Sequence, residues 1–220
     1  MTKKSRVAFV TVGQSPRDDI LPEMLASLRG EIEVTEVGAL DRHDDAQIAA
    51  LAPENGERRL CTRLRDGREV VTSKKKTAKE LNAIFADLAR QDFDLVVLLC
   101  TGYFEGLHCD GLFVESQRLV DSYVAAMAYG GRKVGVVVPL EEQAAEPKDH
   151  AGYETARISH ASPYSGDRLR EAGRELADAD LIVMHCMGYS EDMRRTVADA
   201  AKKPVVLARR VIAAGIDQLL

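Results

Sequence analysis

The sequence predicts an α/β protein of two pseudo-symmetric lobes with parallel sheets and an active cleft between the lobes, on three observations. Short, continuously apolar runs alternate with helix-patterned segments along the chain, the signature of buried parallel strands covered by helices. A twelve-residue segment occurs twice: Asp94 to Glu105 can be laid over Asp180 to Glu191 with seven identities in twelve positions. Each copy ends a strand in a cysteine, Cys100 and Cys186, at the carboxyl edge where open α/β sheets bind ligands.

The elements follow in order. Arg6 to Val12 reads as the first buried strand. Gly13-Gln14 is a loop, and Ser15-Pro16 reads as an N-cap with proline at the first helical position, opening a helix to about Leu28. Ile32 to Val37 is the second strand and Asp44 to Leu51 a short helix. Leu60 to Leu64 and Glu69 to Val71, joined at Asp66-Gly67, predict a hairpin. Ser73 caps a helix whose Leu81, Ile84, Phe85 and Leu88 form one stripe, and Leu95 to Leu99 leads into Cys100. The second half repeats the plan: a helix over Gln117 to Ala128 stopped by Gly130-Gly131, a strand over Val134 to Val138, a charged helical stretch, and a strand near Thr155 to Ser159. After these come a helix over Asp167 to Ala177, a strand from Leu181 leading into His185-Cys186, a helix over Ser190 to Ala201, a strand over Pro204 to Leu207 and a terminal helix.

Composition narrows the function. The 220 residues are enough to bury a core without disulfides or metal. A net charge of −5, from 30 basic and 35 acidic residues, argues against nucleic acid or an anionic membrane as partner. No apolar run reaches the roughly 18 residues that span a bilayer, and no signal-peptide core follows the first residues. The four scattered cysteines read as reduced thiols, and the expected location is the cytoplasm.

Two thiols at strand ends suggest a specific chemistry. A thiol between a buried strand and a helix sits among free backbone N–H groups, which favour the thiolate and lower its pKa. Gly102 and Gly188 let the backbone approach a ligand. Two such groups on opposite faces of one carbon suit proton transfer, one thiolate removing the α-proton and the other thiol delivering a proton, with no cofactor. The pair equally suits a nucleophile-plus-acid role in an isomerase or lyase. Cys61 and Cys109 read as small buried hydrophobes.

Other residues join the candidate site. Gln14, Ser15 and Arg17 follow the first strand, and an arginine there is a natural carboxylate clamp; a simple cap and a solvated charge are the plain readings of Ser15 and Arg17. Pro139, with Glu142, holds the equivalent place in the second half. Thr101, Met187, Tyr103 and Tyr189 flank the cysteines. Glu115 lies one helical turn from Arg118, as ion pair or site wall, and Arg209 follows the last strand. Lys74, Lys75 and Lys76 begin a helix, where the dipole disfavours cations, which suggests an anionic partner or simply a solvated surface. The Cys and His spacing fits no familiar zinc pattern, so no metal is expected. Phosphate-loop, dinucleotide and nucleophile-elbow motifs are absent.

Paired strand-end cysteines in two similar halves resemble the aspartate/glutamate racemase superfamily, which includes glutamate, aspartate and hydantoin racemases, arylmalonate decarboxylase and maleate isomerase. More closely, the chain resembles the AroM family. The residues that carry this are Thr11-Val-Gly-Gln-Ser-Pro-Arg17, Ser73-Lys-Lys-Lys76, Phe113-Val-Glu115-Ser-Gln-Arg118, Val136-Val-Val-Pro139-Leu-Glu-Glu142-Gln143, His185-Cys186-Met-Gly188 and Pro204-Val-Val-Leu-Ala-Arg209. The resemblance implies two flavodoxin-like lobes, 1–114 with 206–220 around Cys100 and 115–205 around Cys186. Taken with the two strand-end thiols, it leads to the expectation of a cofactor-independent racemase, isomerase or decarboxylase acting on a small carboxylate, with Cys100 and Cys186 as the acid/base pair. The racemases' Cys-Thr-His signature is replaced here by Cys186-Met187-Gly188, while Cys100-Thr101 is kept. The alternatives are a non-catalytic binding protein using the same cleft, a maleate-isomerase-like enzyme with a nucleophilic cysteine, and a Cys100–Cys186 redox switch. Lobes of this size often pair symmetrically, so a homodimer is an expected assembly.

Overall fold

A computed structural model describes residues 4–146 and 152–220. Two four-stranded parallel sheets organise the chain. The first contains β1 (Ser5–Thr11), β2 (Ile32–Gly38), β5 (Leu95–Leu98) and β6 (Phe113–Glu115) in the order β2-β1-β5-β6. The second contains β7 (Val134–Val138), β8 (Thr155–His160), β9 (Leu181–Met184) and β10 (Val205–Leu207) in the order β8-β7-β9-β10. The orders are equivalent strand for strand: β1 matches β7, β2 matches β8, β5 matches β9 and β6 matches β10. The aspartates that open the repeat also match. The Asp94 carboxylate accepts from the Arg6 amide and that of Asp180 from the Lys133 amide, both at 2.8 Å.

Strand alternation builds the layers. Val7 and Phe9 of β1 and Leu95 and Val97 of β5 point one way, into the same core as Val134 and Val136 of β7 and Leu181 and Val183 of β9. Between the sheets lie Leu21 and Met24 of α1 (Leu21–Leu25), Val120 and Val124 of α4 (Ser116–Met127), and Ile212 and Ile216 of α8 (Ala208–Asp217). The opposite strand faces are covered separately. Ala8, Val10, Val96 and Leu98 pack on Leu81 and Phe85 of α3 (Lys74–Leu88). Val137, Ile182 and Met184 pack with Ala172 of α6 (Leu169–Glu175) and Val197 of α7 (Glu191–Ala201).

The first half carries two additions. The short α2 (Asp45–Ala50) is closed by an Asp44–Gln47 capping box. The antiparallel hairpin of β3 (Arg59–Arg63) and β4 (Glu69–Ser73) lies against the loop after β1. That approach requires glycine: a Cβ at Gly13 would sit 2.4 Å from both the Arg63 carbonyl oxygen and Thr62 Oγ1. In the second half, α5 (Glu141–Ala145) is the charged stretch after β7; residues 147–151 beyond it are outside the described ones.

Two expectations change. Ser15 caps no helix. Its amide and hydroxyl donate to the Asp41 carboxylate at 2.7 and 2.6 Å, and the first helix begins at Leu21 and ends at Leu25, well short of Leu28. The Asp41 carboxylate takes both Ser15 donors in charge-assisted hydrogen bonds, and Pro22 serves as the early helical proline. The strand at Phe113–Glu115 was not expected, because three residues leave no periodicity to read. The boundaries at 115 and 206 each fall within a strand: Glu115 closes β6 in the first sheet, and Val206 pairs with Val183 in the second.

Candidate active site

Cys100 lies two residues beyond β5 and Cys186 two residues beyond β9. Both line one cavity of about 100 Å³ between the carboxyl edges of the two sheets. The local geometry repeats: the Gly102 amide donates to the Cys100 sulfur at 3.3 Å and the Gly188 amide to the Cys186 sulfur at 3.4 Å. Both glycines are crowded, so a side chain at either place would make a neighbour shift. A Cβ at Gly102 would meet Leu60 Cδ2 at 2.9 Å, and one at Gly188 would meet Pro163 Cγ at 2.9 Å and the Tyr164 hydroxyl at 3.0 Å.

The expected lowering of the thiol pKa values does not hold. Burial pushes Cys100 up to about 12, against the pull of the Gly102 N–H, Lys74 and Arg17. Burial raises Cys186 too, against the Gly188 N–H and the guanidiniums of Arg17 and Arg209. The expectation counted the N–H donors and a helix dipole but not the desolvation. No helix follows Cys100, which leads by a loop to β6, and α7 begins only at Glu191.

Arg17 is buried and lines the cavity. Its Nε and Nη2 each reach a different oxygen of Asp19 at 2.8 Å, Nη1 donates to Thr11 Oγ1 at 3.0 Å, and Nη2 also reaches the Tyr164 hydroxyl at 3.3 Å. Burial works against its charge, but the Asp19 hydrogen bonds and field outweigh it and hold the guanidinium protonated. Thr101, Gly102, Tyr103, Pro139, Met187 and Gly188 line the same cavity.

Five expected site residues sit elsewhere. Gln14 ties the hairpin down, its Nε2 donating to the Leu40 carbonyl at 3.2 Å and its Oε1 accepting from the Arg65 amide at 3.0 Å. Ser15 is held by Asp41, as described above. Glu115 pairs with Arg118 at 2.5 Å. Tyr189 is fully buried in the second sheet's outer core, its hydroxyl donating to the Ala161 carbonyl at 2.6 Å. Arg209 stands behind the cavity: Nε and Nη2 donate to the Met187 carbonyl at 3.1 and 2.8 Å, and Nη1 reaches Glu23 at 2.8 Å.

The cavity also recruits residues that the sequence did not single out as site residues. Leu60, Cys61 and Thr62 come from the hairpin, Tyr164 from the loop after β8, Gln117 from α4, and His185 from the end of β9. Thr62 Oγ1 is buried without a hydrogen-bond partner among the described residues. Cys61 is buried, as expected for a small hydrophobe, yet it borders the site; burial raises its pKa and so does the proximity of Cys186. His185 lies 3.5 Å from the buried Asp121 carboxylate, which also accepts from Gln117 and, at 3.2 Å, from the Tyr153 hydroxyl. The His185-Cys186 pair was one available signal; the hairpin residues left none. Among the described residues no group of three or more metal-ligating side chains is assembled, and no helix is long and apolar enough to cross a membrane.

The family profile described as AroM protein matches residues 7–220. The chain belongs to the AroM family. Among solved structures, this AroM family member is similar to the allantoin racemase of Pseudomonas fluorescens, with a TM-score of 0.64 and 15% identity over 97% of this chain and 90% of that one. It is similar to the glutamate racemase of Thermus thermophilus, TM-score 0.62 and 14% identity over 98% and 80% of the two chains. It is also similar to an unliganded arylmalonate decarboxylase, TM-score 0.52 and 12% identity over 98% and 92%. At these identities the likeness establishes a shared racemase-like fold. Comparison with curated proteins gives no match.

Proposed function

We propose that this AroM family protein is a cofactor-independent racemase, isomerase or decarboxylase of a small carboxylate, with Cys100 and Cys186 as its acid/base pair. One observation carries the reading: two thiols, each two residues past an equivalent strand and each taking the amide of the glycine two residues on, border one cavity. The resemblance in fold to racemases and a decarboxylase supports it.

In racemisation one thiolate takes the α-proton, the C–H electrons pass into an enolate, and the opposite thiol protonates the other face. In decarboxylation the C–C electrons stay on the α-carbon as carbon dioxide leaves, and one thiol protonates it. Arg17 and the amides of Thr101 and Met187 hold the carboxylate, and Thr62 supplies a hydroxyl to the bound anion. The Gly102 and Gly188 amides stabilise whichever sulfur is ionised. At Cys186 the guanidiniums of Arg17 and Arg209 oppose the effect of burial, as Lys74 and Arg17 do at Cys100, so either sulfur has cations near it when it ionises. A second reading, a binding protein that uses the cavity without turnover, draws support from the burial that keeps both thiols protonated.

The test is proton exchange in deuterated buffer, followed by NMR, over amino acids, hydantoins, malonates, maleate and keto acids. The expected result is deuterium uptake at one carbon, reduced by about 10² or more in Cys100→Ser and in Cys186→Ser. Full activity in both serine variants would overturn the mechanism. Ligand-induced thermal stabilisation with no exchange across the panel would establish the binding reading. A covalent adduct on one cysteine, seen by intact mass, would replace acid/base transfer with nucleophilic chemistry.

A further inference from the structure

Arg58, Lys74 and Tyr103 line the thiol cavity and also a second, larger cavity of about 530 Å³. One wall of the second cavity is a face of α3 formed by Lys75, Ala78, Lys79 and Asn82. The opposite wall is the loop after Cys100, which Asn82 fixes in place: its Nδ2 donates to the Gly106 carbonyl and its Oδ1 accepts from the His108 amide, both at 2.9 Å. Four cations, Arg58, Lys74, Lys75 and Lys79, face two carboxylates, Glu57 and Glu105.

The lysine run at the start of α3 is therefore divided. Lys76 has a local task, with its Nζ at 3.2 and 2.9 Å from the Ala50 and Ala52 carbonyls that end α2 and at 3.1 Å from Glu54. Lys75 and Lys79 are exposed and, among the described residues, belong to no ion pair. Lys74 connects the two cavities, lining both and bringing its charge close enough to oppose the rise in the Cys100 pKa.

Size favours a ligand that uses both spaces. At about 100 Å³, against roughly 30 Å³ per water in the liquid, the thiol cavity has room for about three water-sized groups, enough for a reacting carbon and its carboxylate. A longer arm leads past Tyr103 toward the lysines. We infer that the second cavity extends the substrate site and receives a second anionic group, so that the substrate is a dianion: a carboxylate at the thiols with another carboxylate or a phosphate at the far end. This rests on the thiol cavity being the substrate site. Attraction by exposed lysines is screened by salt, so the preference for a dianion should weaken as ionic strength rises.

The test is calorimetric binding to the folded, reduced protein. Butyrate and hexanoate are compared with succinate, adipate and 3-phosphonopropionate, for wild type, K75Q/K79Q and the charge-keeping K75R/K79R. The expected result is a preference for the dianion over its matched monoanion that falls about five- to tenfold in K75Q/K79Q and survives in K75R/K79R. The phosphonate and dicarboxylate arms identify the distal group. A preference unchanged in K75Q/K79Q, or no preference at all, would overturn the inference. Because binding is read without turnover, the two readings fail separately. Lysine-dependent dianion binding without proton exchange removes the catalytic reading alone, and proton exchange with lysine-independent binding removes the extension alone.

Discussion

Arg17, from the loop after β1, donates through Nη2 to the hydroxyl of Tyr164, from the loop after β8, at 3.3 Å. The contact joins the two halves at the rim of the thiol cavity, and it depends on the small residue behind Tyr164. Gly188→Ala would place a methyl group 3.0 Å from that hydroxyl and 2.9 Å from Pro163. The expected outcome is a loss of about 1–3 kcal/mol by urea denaturation, with faster alkylation of Cys186 as Tyr164 is pushed aside.

The raised thiols make stability fall in alkali. An unfolded cysteine ionises near 8.5, whereas burial holds Cys100 up to about 12 and also raises Cys186. Above about pH 8.5 the unfolded chain therefore binds fewer protons than the folded one, and unfolding becomes easier by up to about 1.4 kcal/mol per pH unit for Cys100, with a contribution of the same sign from Cys186. Below that pH both states keep the proton and there is no effect. Chemical denaturation between pH 7.5 and 10 should show this slope, and Cys100→Ser should remove one thiol's share.

Asp41 holds the loop that carries Arg17. Its carboxylate accepts from the Ser15 amide and hydroxyl and, at 2.7 Å, from the Gly38 amide. Asp41→Ala should cost about 2–4 kcal/mol, because charge-assisted bonds are lost and buried donors are left without partners. Asp41→Asn, which keeps one acceptor, should lose less. Urea midpoints of the two variants check the order.

Arg209 supports Cys186 through the main chain. Its guanidinium holds the Met187 carbonyl, one residue after the cysteine, while Glu23 balances the charge. Arg209→Met keeps much of the volume but orphans the carbonyl and leaves Glu23 to solvent. A loss of about 2 kcal/mol is expected, measured by denaturation. In an active enzyme kcat should fall while KM for the carboxylate changes little, since Arg209 lies behind the cavity.

The sheets were legible because alternation and continuous apolar runs carry their signal locally, and the repeat placed Cys100 and Cys186 at matching strand ends. What was not legible depends on partners distant in sequence. Ser15 looks like a cap until Asp41 arrives from 26 residues away. Gln14 looks like a site residue until the hairpin lies on it. Cys61, Thr62 and Tyr164 reach the cavity only through packing, and no local pattern announces that. The thiol pKa values needed the burial itself, which spacing does not report.

Among the described residues the hairpin has no counterpart in the second half. It reaches across nonetheless: the Arg59 amide donates to Glu146 at 3.0 Å, Gln143 Nε2 donates to the Arg59 carbonyl at 3.1 Å, and the Ser162 hydroxyl donates to Glu69. A cavity with true twofold symmetry would accept a ligand either way round with equal ease. By closing one side, the hairpin gives this cavity a front and a back. In the proposed reaction that asymmetry sets which face of the substrate carbon meets Cys100 and which meets Cys186, although the two sulfurs themselves are held alike.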